Sequence, residues 1–295
     1  MPDRESLARA PVSVVIPACN EAGAIARVVR EAREALITPE RPPELVEVIV
    51  VDDGSTDATA DEAERAGARV IRHEGNLGYG AALKTGIRAA THEIIVTTDG
   101  DGTYPASVME QLVRELERSD MAVGARIGRD VNIPIERRPA KWLLTKIAVY
   151  LTEKPIPDLN SGLRAFRRAD VLQFIKLCPS GFSFSTTITL AYLCNDMVVH
   201  YLPIDYHPRT GHSKIRPLRD TKNTLVTIIR CIVLFNPMRV FVPLALIMFV
   251  IAALVAIFIR DSQGNILDGT ITILVLGGVQ MIMLGFLADA IARLR

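Results

Sequence analysis

Neither sign of charge prevails in this chain. Its 34 Lys and Arg stand against 33 Asp and Glu, a formal net charge of +1. No global field therefore draws it to nucleic acid. The four cysteines, Cys19, Cys178, Cys194 and Cys231, never fall at CxxC spacing. That excludes the common zinc and dithiol motifs and fits idle thiols in a reducing compartment. No secretory leader is expected at its start, because "VSVVIP" is too short for the apolar segment of one and no cleavage site follows.

Long apolar runs are present, and both lie near the C-terminus. Val240 to Ile259 carries no charge over twenty residues, and in Thr270 to Ala288 the one strongly polar side chain before the end is Gln280. About 20 apolar residues at roughly 1.5 Å each cross the hydrocarbon core. The runs predict two transmembrane helices, about 240–259 and 270–288. The stretch between them, "RDSQGNILDG", has one Arg against two Asp, while "RPLRDTK", "NPMR" and "ARLR" flank the runs on the other side. The positive-inside rule then expects both chain ends in the cytoplasm and the short loop outside, as in a multi-pass protein of the plasma (inner) membrane.

Ahead of these runs, apolar strand-like segments alternate with helical ones. "VSVVIP", "LVEVIVVDD", "ARVIRH", "EIIVTTD" and "MAVGA" are separated by Glu21–Leu36, Asp57–Ala66, Tyr79–Ala90 and Pro105–Arg118. Continuous apolar strands between helices predict an α/β fold, a mostly parallel sheet covered on both faces. Ligands on such sheets bind beyond the carboxyl ends of the strands. Asn20 and Glu21, Asp52 and Asp53, and Asp99 and Asp101 all fall there.

Asp99 and Asp101, in "TTDGDGTYP", set two anions one glycine apart at the end of an apolar run. Burying either unpaired costs several kcal/mol, so a divalent cation with hard oxygen ligands is the expected counter-charge. An EF-hand reading places Glu110 at the twelfth position, but Tyr104 holds the place that needs glycine, and a strand precedes where a helix is required. A third feature, "GNLGYGAALKTG", nearly spells a phosphate loop, with Leu83 where glycine should precede Lys84. Tight helix–sheet packing explains it equally well.

"VVIPACNEAG", "VVDDGSTDAT", "NLGYGAALKTG", "TTDGDGTYP", "VGAR" and "DLNSGLRAFRR" follow one another in the order seen in family 2 glycosyltransferases of the GT-A fold. Over roughly residues 12 to 215 the chain resembles dolichol-phosphate mannose synthases and bacterial polyprenyl-phosphate glycosyltransferases. The resemblance implies a Rossmann-like GT-A domain over 1–215. An interfacial amphipathic helix over 216–237 and a membrane domain over 238–295 complete the expected layout. It also implies that Pro17, Glu21, Val51 and Asp53 line a nucleoside pocket. Asp99, Gly100 and Asp101 would bind the donor diphosphate, the two carboxylates through Mg²⁺ or Mn²⁺, and Arg126 would meet phosphate. Arg209 and Lys214, in "YHPRTGHSKI", match a late basic pair of the family. Cys19 stands where those synthases have tyrosine.

The resemblance thus implies a metal-dependent inverting transfer of a hexose from a UDP- or GDP-sugar to a polyprenyl phosphate, undecaprenyl or dolichyl, at a lipid bilayer. Self-association is left open. Asp101 and Asp158 are the candidate catalytic residues, Asp158 either as a weak base or as a turn cap, since "FSFSTTITL" offers no carboxylate. "PAKWLLTKIAVYL" and "LRDTKNTLVTIIRCIVLFN" read as in-plane helices at the headgroups. A glycolipid or polysaccharide acceptor is the alternative; the absence of a Q-x-x-R-W motif and the presence of only two spans argue against a processive synthase. A non-enzymatic nucleotide or calcium binder is the third reading.

Overall fold

The computed structural model describes residues 7–127, 145–150, 152–181, 183–205, 226, 237–258 and 268–293. Two compact units are present, Met1–Thr227 and Ile228–Arg295. Of the expected interfacial segment 216–237, only Val226 and Pro237 are among the described residues, and Arg209 and Lys214 lie outside them.

The first unit is an α/β layer structure. In chain order it runs β1 (Val12–Ala18), α1 (Ile25–Leu36), β2 (Val46–Asp52), α2 (Thr59–Arg65), β3 (Arg69–Arg72), α3 (Tyr79–Ala89), β4 (Ile94–Thr97), α4 (Met109–Glu115) and β5 (Met121–Ala125). It continues with β6 (Arg164–Arg167), α5 (Arg168–Phe174), α6 (Phe184–Cys194) and β7 (Val199–Pro203). These strands form one sheet in the order β3-β2-β1-β4-β6-β5-β7. All neighbours pair in parallel except β6, which runs antiparallel between β4 and β5.

The apolar runs become strands because both faces are covered. Every residue of β1 and β4 is buried, and so is all of β2 but Glu47. Helix α1 lays Ile25, Val28, Val29, Ala32 and Leu36 on one stripe, at the spacing an amphipathic helix requires. That stripe joins the core with Leu112 and Val113 of α4. Arg41 is fully buried beyond the end of α1, where its guanidinium donates to the Leu36 carbonyl (3.1 Å) and the Ala10 carbonyl (2.8 Å) and pairs with Glu110. It thereby satisfies a helix-end acceptor that burial would otherwise orphan.

β6 and β7 were not anticipated from the sequence. β6 is a four-residue strand, "RAFR", whose two arginines hide the apolar signal. Helix α6 overturns local propensity: "FSTTITLAYLC" is rich in β-branched residues yet is helical and almost wholly buried. Two of its threonine hydroxyls are absorbed by back-bonding, Thr187 Oγ1 to Ser183 O and Thr189 Oγ1 to Ser185 O, each at 2.9 Å.

The second unit consists, among the described residues, of α7 (Met238–Phe258) and α8 (Asp268–Arg293), packed on each other. Both are long and apolar enough to cross a bilayer, and only 17% and 11% of their most apolar windows are buried. Helices of a soluble core would be mostly buried.

Part of the glycine-rich segment is explained by packing. A Cβ on Gly86 would lie 2.3 Å from Val15 Cγ1 and 3.1 Å from Val51 Cγ2. Glycine at this position lets α3 sit directly on β1 and β2. Gly86→Ala is expected to cost about 1–3 kcal/mol through overpacking. Unfolding of the detergent-solubilised chain checks this, and an unchanged Tm would show that the helix can shift without penalty.

Candidate active site

Because β1, β2, β4, β5 and β7 are parallel, their carboxyl ends form one rim, and the antiparallel β6 brings its preceding loop to the same place. Pro17 and Val51 are direct register neighbours across β1 and β2. Asp53 N–H donates to the Ala18 carbonyl (2.8 Å), tying the β2 loop to the end of β1. The loop after β1 is held from the same side. Asn20 N–H donates to Ser55 Oγ (2.9 Å), and Glu21 N–H to Thr59 Oγ1 (2.8 Å). Gly100 lies against this corner, since a Cβ there would come 3.3 Å from both Pro17 O and Ile25 Cδ1.

Asp53 is nearly inaccessible, and its carboxylate organises backbone. Oδ1 accepts from Leu77 N–H (2.9 Å) and Oδ2 from Gly78 N–H (2.8 Å). His73 Nδ1 sits 2.8 Å from Oδ1, and its Nε2 lies 3.0 Å from Thr85 Oγ1 on α3. Since a carboxylate only accepts, Nδ1 is the donor in that pair. Asp53 thus braces the "NLG" loop, a role the sequence alone did not reveal.

Asp99 and Asp101 follow β4. Asp99 Oδ1 accepts from the Tyr79 hydroxyl (2.9 Å), and Asp101 Oδ1 accepts from Thr103 N–H (3.1 Å) and Oγ1 (2.7 Å). Burial, then the adjacent Asp99 charge, pushes the Tyr79 hydroxyl well above its usual range, so it remains a donor. The Asp99 carboxylate lies against Gly162: a Cβ there would fall 2.5 Å from Oδ1. Gly162 N–H in turn donates to Tyr104 Oη (2.8 Å). Tyr104 is the residue that breaks the EF-hand pattern, and Glu110 is turned to Arg41 and Arg114 instead.

Arg126 follows β5 and meets Asp158 in a fork. Nε donates to Oδ2 at 2.7 Å and Nη2 to Oδ1 at 3.0 Å, while Arg126 N–H also donates to Oδ2 at 3.1 Å. Asp158 is almost completely buried and also accepts from Asn160 N–H (3.2 Å), which is the turn expected of "DLNSG". Below it, Arg164 is fully buried and donates to Ser161 O (2.7 Å), Leu159 O (3.1 Å) and Thr189 Oγ1 (2.7 Å). Burial pushes its guanidinium below the ordinary value. Tyr79, Tyr104, Gly162 and His73 were missed as site-shaping residues. All four sit inside quoted segments, which was the available signal.

The Asp53 brace has a direct test. Asp53→Asn turns an N–H₂ toward a backbone N–H or toward His73, leaving a buried donor unsatisfied at about 1–3 kcal/mol. Hydrogen exchange at the Leu77 and Gly78 amides is expected to accelerate; unchanged exchange would show that these amides are held by something else.

The family model for glycosyl transferase family 2 matches residues 13–173, and that for the GtrB C-terminal hairpin matches 236–294. The dolichyl-phosphate hexose transferase of Haloferax volcanii is 30% identical over 70% of this chain and 87% of its own length. The dodecaprenyl-phosphate galacturonate synthase of Rhizobium johnstonii is 28% identical over 96% of this chain and 88% of its own. The low-salt glycan biosynthesis hexosyltransferase Agl6 of Haloferax volcanii is 29% identical over 71% of this chain, which spans only about half (51%) of that protein. Glucosyl-3-phosphoglycerate synthase from Mycobacterium tuberculosis, solved with Mn²⁺ and UDP, shares the fold with a TM-score of 0.58 at 23% identity, over 77% of this chain and 82% of that one. With the matched segment covering more than half its length, this chain belongs to glycosyltransferase family 2.

Proposed function

We propose that the protein transfers a hexose, with inversion, from a nucleotide-sugar to the phosphate of a polyprenyl lipid at a membrane surface. The observation that carries this reading is the gathering of Asp99, Asp101 and the Arg126–Asp158 fork on one rim, in a chain that also bears two long apolar helices. The polyprenyl-phosphate names of the relatives support the acceptor.

Pro17, Val51, Glu21 and the "NLG" loop braced by Asp53 would receive the nucleoside. The diphosphate would lie over Asp99, Gly100 and Asp101. Two hard carboxylates suit Mg²⁺ or Mn²⁺, which keeps waters and takes substrate phosphate oxygens. A cation there would supply charge neutralisation for the departing diphosphate. Tyr79 and Thr103 fix the carboxylates that would hold it.

The acceptor phosphate is already an anion and needs little help from a base. One of its oxygens forms the new bond to the anomeric carbon as the bond to the nucleoside diphosphate breaks on the opposite face. Cations must overcome the repulsion between the two phosphate groups. Arg126 is one, and Arg209 and Lys214 are assigned to the lipid phosphate in this reading. Strand β7 itself ends at the rim, in register with β5, Pro203 opposite Ala125.

Asp158 is then a positioning residue: it aims Arg126 and takes no proton. Its carboxylate is engaged by the guanidinium and two N–H groups, unlike that of an exposed base. Asp158→Asn, with Arg126 left half-paired, is expected to raise the donor KM at least as much as it lowers kcat. A fall in kcat alone, with donor affinity intact, would restore the base assignment.

Chain reconstituted with undecaprenyl or dolichyl phosphate and a panel of labelled UDP- and GDP-hexoses is expected to yield a lipid product that releases sugar in mild acid. Asp101→Asn, or excess EDTA, is expected to abolish it in a protein that stays folded. Label in a glycolipid or polysaccharide instead would replace the acceptor, and full activity in EDTA would remove the metal.

A further inference from the structure

Strand β7 carries a donor that nothing receives. Tyr201 Oη is buried, yet it has no hydrogen-bond partner among the described residues. A buried hydroxyl in that state costs stability that a phenylalanine of the same shape would not. Such an orphan marks either a trapped water or a function.

The sheet fixes its surroundings. Val123 of β5 is the register partner of Arg164 on β6 and of Tyr201 on β7. Register partners share a face, so the arginine and the tyrosine flank Val123 on the same side of the sheet. Helix α6 covers that side. Arg164 Nη1 donates to its Thr189 Oγ1 (2.7 Å), and its Leu193 lines a cavity of about 240 Å³ together with Tyr201. Pro157, the residue before Asp158, lines the same cavity, which gives the tyrosine ring room to shift. Burial pushes the Tyr201 hydroxyl up to about 12, with Arg164 opposing the shift and Asp158 adding to it. The hydroxyl therefore stays protonated and able to donate.

Asp158 is the neighbouring acceptor whose demand changes. Its side chain is inaccessible, whereas that of Arg126 is 20% exposed, so a phosphate on the rim meets the guanidinium from its open side. Whatever the phosphate takes from the fork, Asp158 loses, and a buried carboxylate deprived of its cation is costly. Arg164 does not replace the lost bond, because its Nε, Nη1 and Nη2 already donate to Ser161 O, Thr189 Oγ1 and Leu159 O.

We propose that Tyr201 is a positioning residue whose hydroxyl turns to Asp158 when a phosphate loosens the Arg126 fork, keeping the carboxylate charged and in place. The proposal rests on the reading above, in which Arg126 meets a phosphate of the donor. The orphan of the resting site is this donor held in reserve. Because the new bond forms only with phosphate bound, it strengthens phosphate binding and adds nothing to the empty fold.

The test uses the full chain in detergent, with Mn²⁺ and pyrophosphate as the probe. Tyr201→Phe is expected to leave Tm unchanged or raised. It is expected to weaken pyrophosphate binding, measured by calorimetry, about ten-fold or more, as for one hydrogen bond to a charged group. Arg126→Gln opens the fork without any ligand. In that background Tyr201→Phe is expected to lower Tm, because Asp158 already engages the hydroxyl. Equal pyrophosphate affinity in the native and Tyr201→Phe chains overturns the inference. So does a Tm that responds to Tyr201→Phe alike in both backgrounds, the result for a hydroxyl that only binds water. If Arg126→Gln does not fold, the pyrophosphate comparison decides. A native chain that binds no pyrophosphate overturns the donor reading instead, and the Tm comparison then decides the inference by itself.

Discussion

Two aspartates one glycine apart repel each other, and much of the rim is arranged to keep them there. Asp99 is met by the Tyr79 hydroxyl and packed against Gly162; Asp101 is closed on Thr103. These donors fix the directions in which the two carboxylates point. The placement of β6 follows from the same requirement. An antiparallel strand between β4 and β5 is the arrangement that returns the 158–162 loop to the carboxylate rim. A parallel strand there would have placed that loop at the opposite edge.

The cationic side of the rim is arranged differently. Arg126 is paired in advance, through a fork whose planarity suits a phosphate as well as a carboxylate. Asp158 is itself supported from beneath, because the loop that carries it is stitched by the buried Arg164 to helix α6. Removing a member of such a buried set leaves an unpaired charge, which costs more than the pair contributes. Position in this part of the site is thus bought with rigidity, and the order runs from α6 to Arg164 to the loop to Arg126.

The sequence disclosed what depends on local pattern. Four strands of the sheet, β1, β2, β4 and β5, were legible because their apolar runs are continuous, and the rim carboxylates were legible because they end those runs. β7 and β6 were not, since their strand character comes from partners distant in the chain: Val199 pairs with Met121 and Arg164 with Thr97. Helix α6 was hidden because its threonines prefer strands until burial and back-bonding decide otherwise. The Asp53 brace was hidden for another reason. Nothing in "VVDDGSTD" says that the second aspartate turns to backbone N–H groups 24 and 25 residues later. The family resemblance assigned Asp53 to the nucleoside. The geometry adds that it shapes the pocket through the loop it holds.

The glycines show the same division between pattern and packing. In "GNLGYGAALKTG" the phosphate-loop likeness comes from composition, but at Gly80 and Gly86 the cause is proximity. A Cβ on Gly80 would lie 2.3 Å from the Pro179 carbonyl oxygen, and one on Gly86 would strike Val15. Helix α3 is thus pressed on the sheet at one end and on the 179–181 loop at the other, and it carries Tyr79 and Thr85 at fixed distances from Asp99 and His73. In the second unit glycine acts again through close approach, at Gly278 and Gly285. There the driving force is van der Waals contact, since in lipid no hydrophobic effect brings the helices together. A surface that must associate in that solvent needs either small residues or a polar bond, and α8 presents small residues to α7.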